Sequence, residues 1–337
     1  MIDALAYEPH FVDHLAPVWR ALPEQLRGTF LTAPALVGHC ASLGVTAEPV
    51  RMAGGFVRVK PNADGPLAMV ASYGDQKRGR LRGYGGFVRL EHGIGQSYGN
   101  TLGNYAGGAD CEDVDLFLMP NQTSADRWQA AYPDAVVQVV GCPKLDELPS
   151  RGEGPSPVVA IAFHWPCSIA PETMPAFPQF RLAMAQLAKR YTVLGHGHPR
   201  ALPMLARYYR RMGIEVVEDF AEVCRRADVF IADNTSALYE FAATGRPVVV
   251  LNAPFYRRNV HHGLRFWEAA DVGVQVDRAD GLVPAVKKAL DDPPERQTAR
   301  EAALAIVYGY RAGAAQRAAQ AVSAWLADGS ARNTVAA

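Results

Sequence analysis

The chain has 337 residues, of which 49% are hydrophobic, and its 34 Lys and Arg residues balance its 34 Asp and Glu residues. This length suits two domains of about 150 residues each. The formal net charge of +0 excludes a long-range field that would attract nucleic acid, so any anionic ligand must be bound locally.

The five cysteines are scattered along the chain and lack CxxC spacing, which argues against both a disulfide framework and a zinc site. No apolar run approaches the roughly 20 residues that cross a bilayer, and no leader is expected. We therefore expect a cytoplasmic protein, and peripheral contact with the inner membrane surface is left open.

Apolar runs of strand length alternate with helical patterns from end to end, which is typical of α/β domains with mostly parallel sheets. The first half is predicted to hold a helix at 11–21 and strands at 4–7, 29–31, 67–71, 116–119 and 136–140. The second half is predicted to hold strands at 158–163, 192–194, 229–232 and 248–251, and helices at 177–190, 201–212, 294–310 and 314–327.

The segment LPSRGEGPSP, at 148–157, lacks apolar periodicity and is predicted to be a linker. We therefore predict domains at 1–149 and 150–310, with a final helix at 311–337 that returns to the first domain before a frayed tail. Two such domains would place a ligand cleft between the carboxyl ends of their sheets.

The residues 228–251 predict a strand, a polar turn, a helix and a second strand. The stretch from Asp233 through Asn234, Thr235 and Ser236 supplies capping residues where the helix would begin. Backbone N–H groups there, with two hydroxyls, predict an anion site. The alternative is an ordinary βαβ unit.

Two pairs of histidines follow predicted strands in other places. His10 and His14 are four residues apart, but two histidines without a third ligand make a poor metal site, and a capping or core role is the alternative for each. In GHGHP, at 195–199, glycines such as Gly197 would let the backbone approach a ligand, and His198 could donate to phosphate; a tight turn is the alternative.

His92 follows another predicted strand and opens a glycine-rich stretch that does not match the GxGxxG spacing, so we reject a dinucleotide site. Asp113 and Asp115 form a DxD, a pattern that can hold a divalent metal, but a solvated acidic loop is the favoured interpretation. Arg257 and Arg258 could clamp phosphate or simply be solvated. The basic group at 77–82 suggests an anionic acceptor or membrane contact, with a solvated loop as the alternative.

Five segments in this order resemble the CDP-glycerol glycerophosphotransferase family of teichoic-acid synthesis, within the GT-B superfamily. They are HFVDHLAPVWRALP near the start, LEHG at 90–93, GCPKLDEL at 141–148, GHGHP at 195–199 and ADNTSALYEFAATGRPVVVL at 232–251. The resemblance covers about residues 4–310. It implies two Rossmann-like domains, with the nucleotide donor held mainly by the second and the acceptor approached from the first.

By this resemblance His92 matches the proposed catalytic histidine and His198 the histidine that contacts the donor pyrophosphate. Thr235 and Ser236 match the hydroxyl pair of the phosphate helix, and Glu240 lies where many GT-B enzymes hold the ribose. The implied enzyme is metal-independent, uses no cofactor besides a CDP- or UDP-linked donor, and transfers a sugar or polyol-phosphate unit to a hydroxyl acceptor. A nucleotide-sugar glycosyltransferase, a UDP-sugar 2-epimerase-like enzyme and a non-catalytic nucleotide-binding protein are the alternatives.

Overall fold

The protein is described from a computed structural model that covers residues 1–51, 65–94, 111–154, 157–166, 174–233, 235–252 and 270–328. It divides into two compact units. The first comprises the described residues of Met1–Gly95, Leu102–Glu147 and Tyr308–Ala337, and the second those of Leu148–Val307. The boundaries therefore lie at 147/148 and 307/308, compared with 149/150 and 310/311 from the sequence.

The first unit is built on a seven-stranded sheet in the order β3-β2-β1-β4-β5-β6-β7, and every strand pair is parallel. Its strands are β1 (Ile2–Ala6), β2 (Arg27–Thr32), β3 (Ala47–Pro49), β4 (Leu67–Val70), β5 (Gly86–Leu90), β6 (Val114–Met119) and β7 (Val136–Val139). Its helices are α1 (Pro9–Ala21), α2 (Val37–Ser42), α3 (Tyr73–Leu81), α4 (Gln122–Ala131) and, from the end of the chain, α12 (Ala314–Ala327).

Helices cover both faces of this sheet, as the continuous burial of its central strands requires. On one face α12 packs against α1, with Val322 and Trp325 buried in the shared core. On the other face the stacked rings of Phe117 and Trp128 lie 4.7 Å apart between centroids. The described part of the C-terminal segment thus belongs to the first unit.

The second unit holds a six-stranded parallel sheet in the order β10-β9-β8-β11-β12-β13. Its strands are β8 (Val158–Phe163), β9 (Thr192–Gly197), β10 (Glu215–Val216), β11 (Val229–Ala232), β12 (Val248–Leu251) and β13 (Val274–Val276). Its helices are α5 (Phe177–Phe180), α6 (Ala183–Ala188), α7 (Leu202–Arg211), α8 (Phe220–Arg226), α9 (Ala237–Ala242), α10 (Leu282–Asp291) and α11 (Pro294–Val307).

The single helix predicted at 177–190 is wrong, because α5 and α6 are separated by a turn that contains Leu182. Leu182 is 76% exposed, so the apolar residues of the segment do not form one continuous buried face.

In both sheets the strand order reverses beside the first strand of the unit, between β1 and β4 and between β8 and β11. Ligands of open α/β sheets bind outside the carboxyl ends of the strands at such a reversal. None of the described helices is long and apolar enough to cross a membrane.

Candidate active site

In the first unit, three strand ends around the reversal bring histidines together. His10 lies in the first turn of α1 after β1, and His92 follows β5 by two residues. Their ring centroids are 6.0 Å apart, and the ring of Phe11 lies edge-on to His92 at 5.0 Å. The carboxyl edge of this sheet therefore presents a histidine cluster.

The hydrogen bonding of His92 defines its tautomer. Its Nδ1 lies 2.7 Å from the backbone oxygen of Ala71, which follows β4. A carbonyl oxygen only accepts, so Nδ1 carries the hydrogen and the lone pair of the neutral ring is on Nε2. The side chain is 28% exposed, so this basic nitrogen belongs to a ring that solvent and ligands can reach.

His14, the second residue of the predicted α1 pair, is a core histidine. It is 2% exposed, its Nδ1 lies 3.7 Å from the Cys142 sulfur, and its ring centroid is 6.3 Å from that of His92. Burial, then the charges of Lys144 and His92, lowers its pKa well below the usual value. His14 is therefore neutral at physiological pH. His10 has an acidic neighbour instead, since its Nδ1 lies 3.8 Å from a Glu8 carboxylate oxygen.

The DxD is not a solvated acidic loop. Asp113 is 7% exposed and accepts hydrogen bonds from Arg80 Nε at 2.6 Å and from Gln76 Nε2 at 2.7 Å. Asp115 lies in the first half of β6, and burial, helped by the Asp113 charge, raises its pKa to about 6. Both residues lie at the amino end of β6, whereas the histidines lie at the carboxyl edge.

The basic group at 77–82 is not a loop either, because most of it forms α3. Arg80 is buried on Asp113, Arg78 donates to Asp75 at 2.9 Å, and the Lys77 ammonium lies over the Tyr73 ring at 4.3 Å. These internal contacts leave Arg82 as the member that is exposed.

In the second unit, Asp233 follows β11 at the reversal and is fully buried. The N-cap residue of α9 is Ser236 rather than Asp233. The Asp233 carboxylate accepts the backbone N–H of His164 at 2.8 Å and of Ala176 at 2.9 Å, which fixes the chain where it leaves β8 and where it enters α5. Asn234 lies outside the described residues.

The predicted hydroxyl pair lies beside the start of α9. The Ala237 N–H approaches Thr235 Oγ1 at 3.4 Å, and Ser236 is the N-cap residue but makes no side-chain capping bond. The helix has six residues. Glu240 lies within it and is 3% exposed. Ligand roles for these three residues stay predictions.

His198 lies after β9 and has the opposite tautomer to His92. Its Nδ1 accepts the backbone N–H of Arg200 at 3.2 Å, so the hydrogen of the neutral ring is on Nε2. The ring of His164 is 5.2 Å away, and the Arg200 guanidinium lies over the ring of Trp165 at 4.8 Å. This edge therefore carries imidazole donors and a cation on an aromatic face.

Sequence reasoning missed His164, although it directly follows the strand predicted at 158–163. The same reasoning that selected His92 and His198, namely a polar residue at the carboxyl end of a buried strand, would have found it. The Asp233 contacts left no such signal because they join segments more than 50 residues apart.

The glycines of GHGHP are explained by packing. A Cβ at Gly195 would lie 2.6 Å from Tyr209 Cγ, and one at Gly197 would lie 2.6 Å from Leu205 Cδ1. Both residues thus allow α7 to approach β9 closely. The ligand contact predicted for Gly197 stays a prediction, and Arg257 and Arg258 lie outside the described residues.

Residues 170–323 match the family model described as CDP-Glycerol:Poly(glycerophosphate) glycerophosphotransferase, which confirms the resemblance for this part of the chain. No curated protein matches the chain in sequence.

Solved structures resemble the chain over nearly its whole length. The S. aureus MnaA-UDP structure has a TM-score of 0.66 at 14% identity and covers 99% of this chain and 97% of its own. The wall teichoic acid polymerase TagF with CDPG has a TM-score of 0.61 at 11% identity. The match covers 98% of this chain and 88% of the TagF chain. The Neisseria meningitidis UDP-GlcNAc 2-epimerase bound to UDP-GlcNAc has a TM-score of 0.59 at 11% identity. The match covers 97% of this chain and 99% of the epimerase chain. At these identities the similarity establishes the fold, which is GT-B.

Proposed function

Because residues 170–323 match the family model described as CDP-Glycerol:Poly(glycerophosphate) glycerophosphotransferase, we propose that this protein transfers a sugar or polyol-phosphate unit from a nucleotide diphosphate donor to an acceptor hydroxyl. The observation that carries the proposal is the pair of opposite histidine tautomers. Nε2 of His92 is basic, whereas Nε2 of His198 bears a hydrogen.

His92 is the general base in this proposal. A base for an acceptor hydroxyl must be neutral near pH 7 and must offer a lone pair toward the substrate. The bond from Nδ1 to the Ala71 oxygen supplies both the tautomer and the ring orientation. His10, from α1, is the next candidate for this role, whereas His14, the other histidine of α1, is 2% exposed and lies in the core.

His198 stabilises the phosphate of the leaving nucleotide in this proposal. Negative charge grows on the departing nucleotide, and preorganised donors aimed at that charge lower the barrier. The Nε2–H of His198 is such a donor, and the Arg200 guanidinium adds positive charge on the same edge of the sheet. Thr235 and Ser236 would bind the diphosphate, and Glu240 the ribose.

Neighbours with the same fold have been solved with UDP, UDP-GlcNAc and CDPG, which supports a nucleotide-linked donor. We further propose that the reaction needs no metal and takes place in the cytoplasm, at or near the inner membrane surface. Unchanged turnover in EDTA would support the first point.

Release of CMP from CDP-glycerol or CDP-ribitol, and of UDP or GDP from UDP-sugars or GDP-sugars, with and without hydroxyl acceptors, tests the function. Acceptor-dependent release is expected for at least one donor, of the nucleoside monophosphate if a polyol-phosphate is transferred and of the nucleoside diphosphate if a sugar is transferred. Conversion of a UDP-sugar to its 2-epimer would instead identify an epimerase, and binding without turnover would identify a nucleotide-binding protein.

The two histidines are separated by kinetics. His92→Ala should lower turnover by about 10²- to 10⁴-fold with donor binding nearly intact, which is the range of a lost general base. His198→Ala should weaken donor binding and turnover together. Near-normal turnover of His92→Ala with saturating acceptor would remove His92 from the base role.

A further inference from the structure

We propose that Glu91 and Arg89 form a buried charge pair that positions His92 and stabilises its protonated form; this inference rests on the proposed role of His92 as the base. The sequence drew attention to the LEHG segment for its histidine alone. The two residues before His92 on the chain carry the inference.

The Glu91 carboxylate lies between two nitrogen groups. It is 2% exposed, its Oε2 accepts from Arg89 Nη2 at 3.4 Å, and its Oε1 lies 3.8 Å from His92 Nδ1. Each carboxylate oxygen therefore faces a different partner. The position is fixed further because the Glu91 backbone N–H donates to the Leu118 oxygen at 2.9 Å.

Arg89 supplies the reason why this carboxylate is ionised. It is fully buried on β5, with its guanidinium over the Trp128 ring at 4.8 Å and Nη1 3.5 Å from the Cys111 sulfur. A buried cation is strongly destabilising unless an anion compensates it. Glu91 meets this need, so a negative charge stands beside His92 before any reaction begins.

The other groups around His92 come from different elements. His10 and His14 face it from α1, and the Ala71 oxygen from the end of β4. Glu8 lies 3.8 Å from His10, and the charge of Lys144 acts on His14. When His92 takes the acceptor proton, the new positive charge forms 3.8 Å from Glu91 Oε1, and the carboxylate stabilises it.

Glu91→Gln should have two effects, a lower turnover at the pH plateau and an active range that extends to lower pH. The ring loses the anion that stabilises imidazolium, so turnover at the pH plateau should fall about 10- to 100-fold, the range found when the partner of a metal-bound imidazole is removed. The same loss makes His92 harder to protonate, so the neutral base persists to lower pH. The acid limb of the kcat profile should therefore move to lower pH, while the donor Kd stays unchanged.

A merely structural role for Glu91 would lower the rate at every pH and leave the acid limb in place. Glu91→Gln leaves Arg89 without this counter-charge and could unfold the unit, so the double variant Arg89→Gln/Glu91→Gln is the second test, since it removes both charges. It should show a displacement of the acid limb in the same direction, and a smaller one, because the Arg89 cation is removed as well. Glu112→Gln, an exposed acid of the same unit, is the matched control and should leave the profile unchanged.

An NMR titration of the His92 imidazole separates this inference from the proposed function. Its midpoint should move to lower pH in Glu91→Gln and in the double variant, whatever reaction the protein catalyses. An unmoved midpoint, or one moved to higher pH, would overturn the charge pair even if His92→Ala is inactive. A displaced midpoint combined with an active His92→Ala would instead overturn the role of His92 as the base.

Discussion

At the scale of single residues, bonds to backbone atoms define the tautomers of His92 and His198, which lie at the carboxyl edges of the two sheets. A carbonyl oxygen accepts from His92, and a backbone N–H donates to His198, so the same side chain offers a base in one unit and a donor in the other. A sequence alone gives no signal for either bond. The residues could be selected from sequence because they follow buried strands, but their tautomers required the structure.

A second residue whose chemistry depends on its surroundings is Asp75, in the first turn of α3. It is fully buried; Ser72 Oγ accepts its N–H at 3.0 Å, and Arg78 Nη1 donates to its Oδ1 at 2.9 Å. Its Oδ2 has no hydrogen-bond partner within the part of the chain that the structure describes. Burial outweighs the Arg78 charge and raises the pKa of Asp75 from 3.8 to about 7.

Asp75 should therefore make the protein less stable as the pH rises. Between pH 3.8 and about 7 the carboxyl is ionised in the unfolded chain but protonated in the folded one, so the folded state binds more protons. Each unit of pKa difference is worth about 1.4 kcal/mol. Asp75→Asn cannot ionise, so relative to wild type it should be more stable at pH 8 than at pH 5, as measured by urea unfolding.

The control for this prediction is Asp126→Asn, which changes an exposed carboxylate on α4. Asp115 titrates in the same pH range but is present in every variant compared, so it cancels from the difference. An Asp75→Asn variant whose stability relative to wild type is the same at both pH values would contradict the raised pKa.

At the scale of elements, buried parallel strands were the most predictable. The bounds predicted from sequence for β8, β11 and β12 agree with the structure, because uninterrupted apolar runs are typical of strands that are covered on both faces. Helix α3 was not predicted because its segment is highly charged. Its stability comes from ion pairs and burial that only the tertiary structure supplies, as in the contact of Arg80 with Asp113.

The packing of α7 on β9 gives an element-scale prediction. Gly195→Ala would place a methyl group 2.6 Å from Cγ of Tyr209, whose ring is fully buried and whose hydroxyl donates to the His196 oxygen at 2.8 Å. The ring cannot move away without weakening that bond. We expect a loss of about 1–3 kcal/mol in the free energy of unfolding, measured with urea, which is the usual cost of overpacking.

Gly38→Ala serves as the opposite case. Gly38 lies in α2, and a Cβ there would meet no heavy atom within 4 Å. The substitution should be neutral or stabilise the protein by up to about 1 kcal/mol, because alanine restricts the unfolded chain and favours a helix. If Gly195→Ala proved as stable as Gly38→Ala, the close approach of α7 to β9 would be disproved.

At the scale of the whole molecule, the chain contains two α/β units, and the C-terminal helix completes the core of the first. The alternation of strands and helices, with a Pro- and Gly-rich linker, was enough to predict two such units from sequence. The strand order in each sheet was not predictable, because parallel strands that are adjacent in space can be far apart in the chain. That order places His10 and His92 together at the carboxyl edge of the first unit's sheet. It places Asp233 beside His164 at the carboxyl edge of the second unit's sheet.

We predict that the donor nucleotide binds to the second unit. A donor nucleotide bound by the second unit stabilises only the folded state, by about 2.7 kcal/mol at a hundredfold excess over its Kd, so it should raise the unfolding temperature. Hydrogen exchange should slow at the β9–α7 turn and at the start of α9. Thr235→Ala/Ser236→Ala should lose most of this stabilisation, because it removes the two hydroxyls at that helix start. Thr298→Ala, an exposed hydroxyl on α11 of the same unit, should keep it. A folded double variant that gains as much stability from CDP or UDP as wild type would exclude the hydroxyl pair from the donor site.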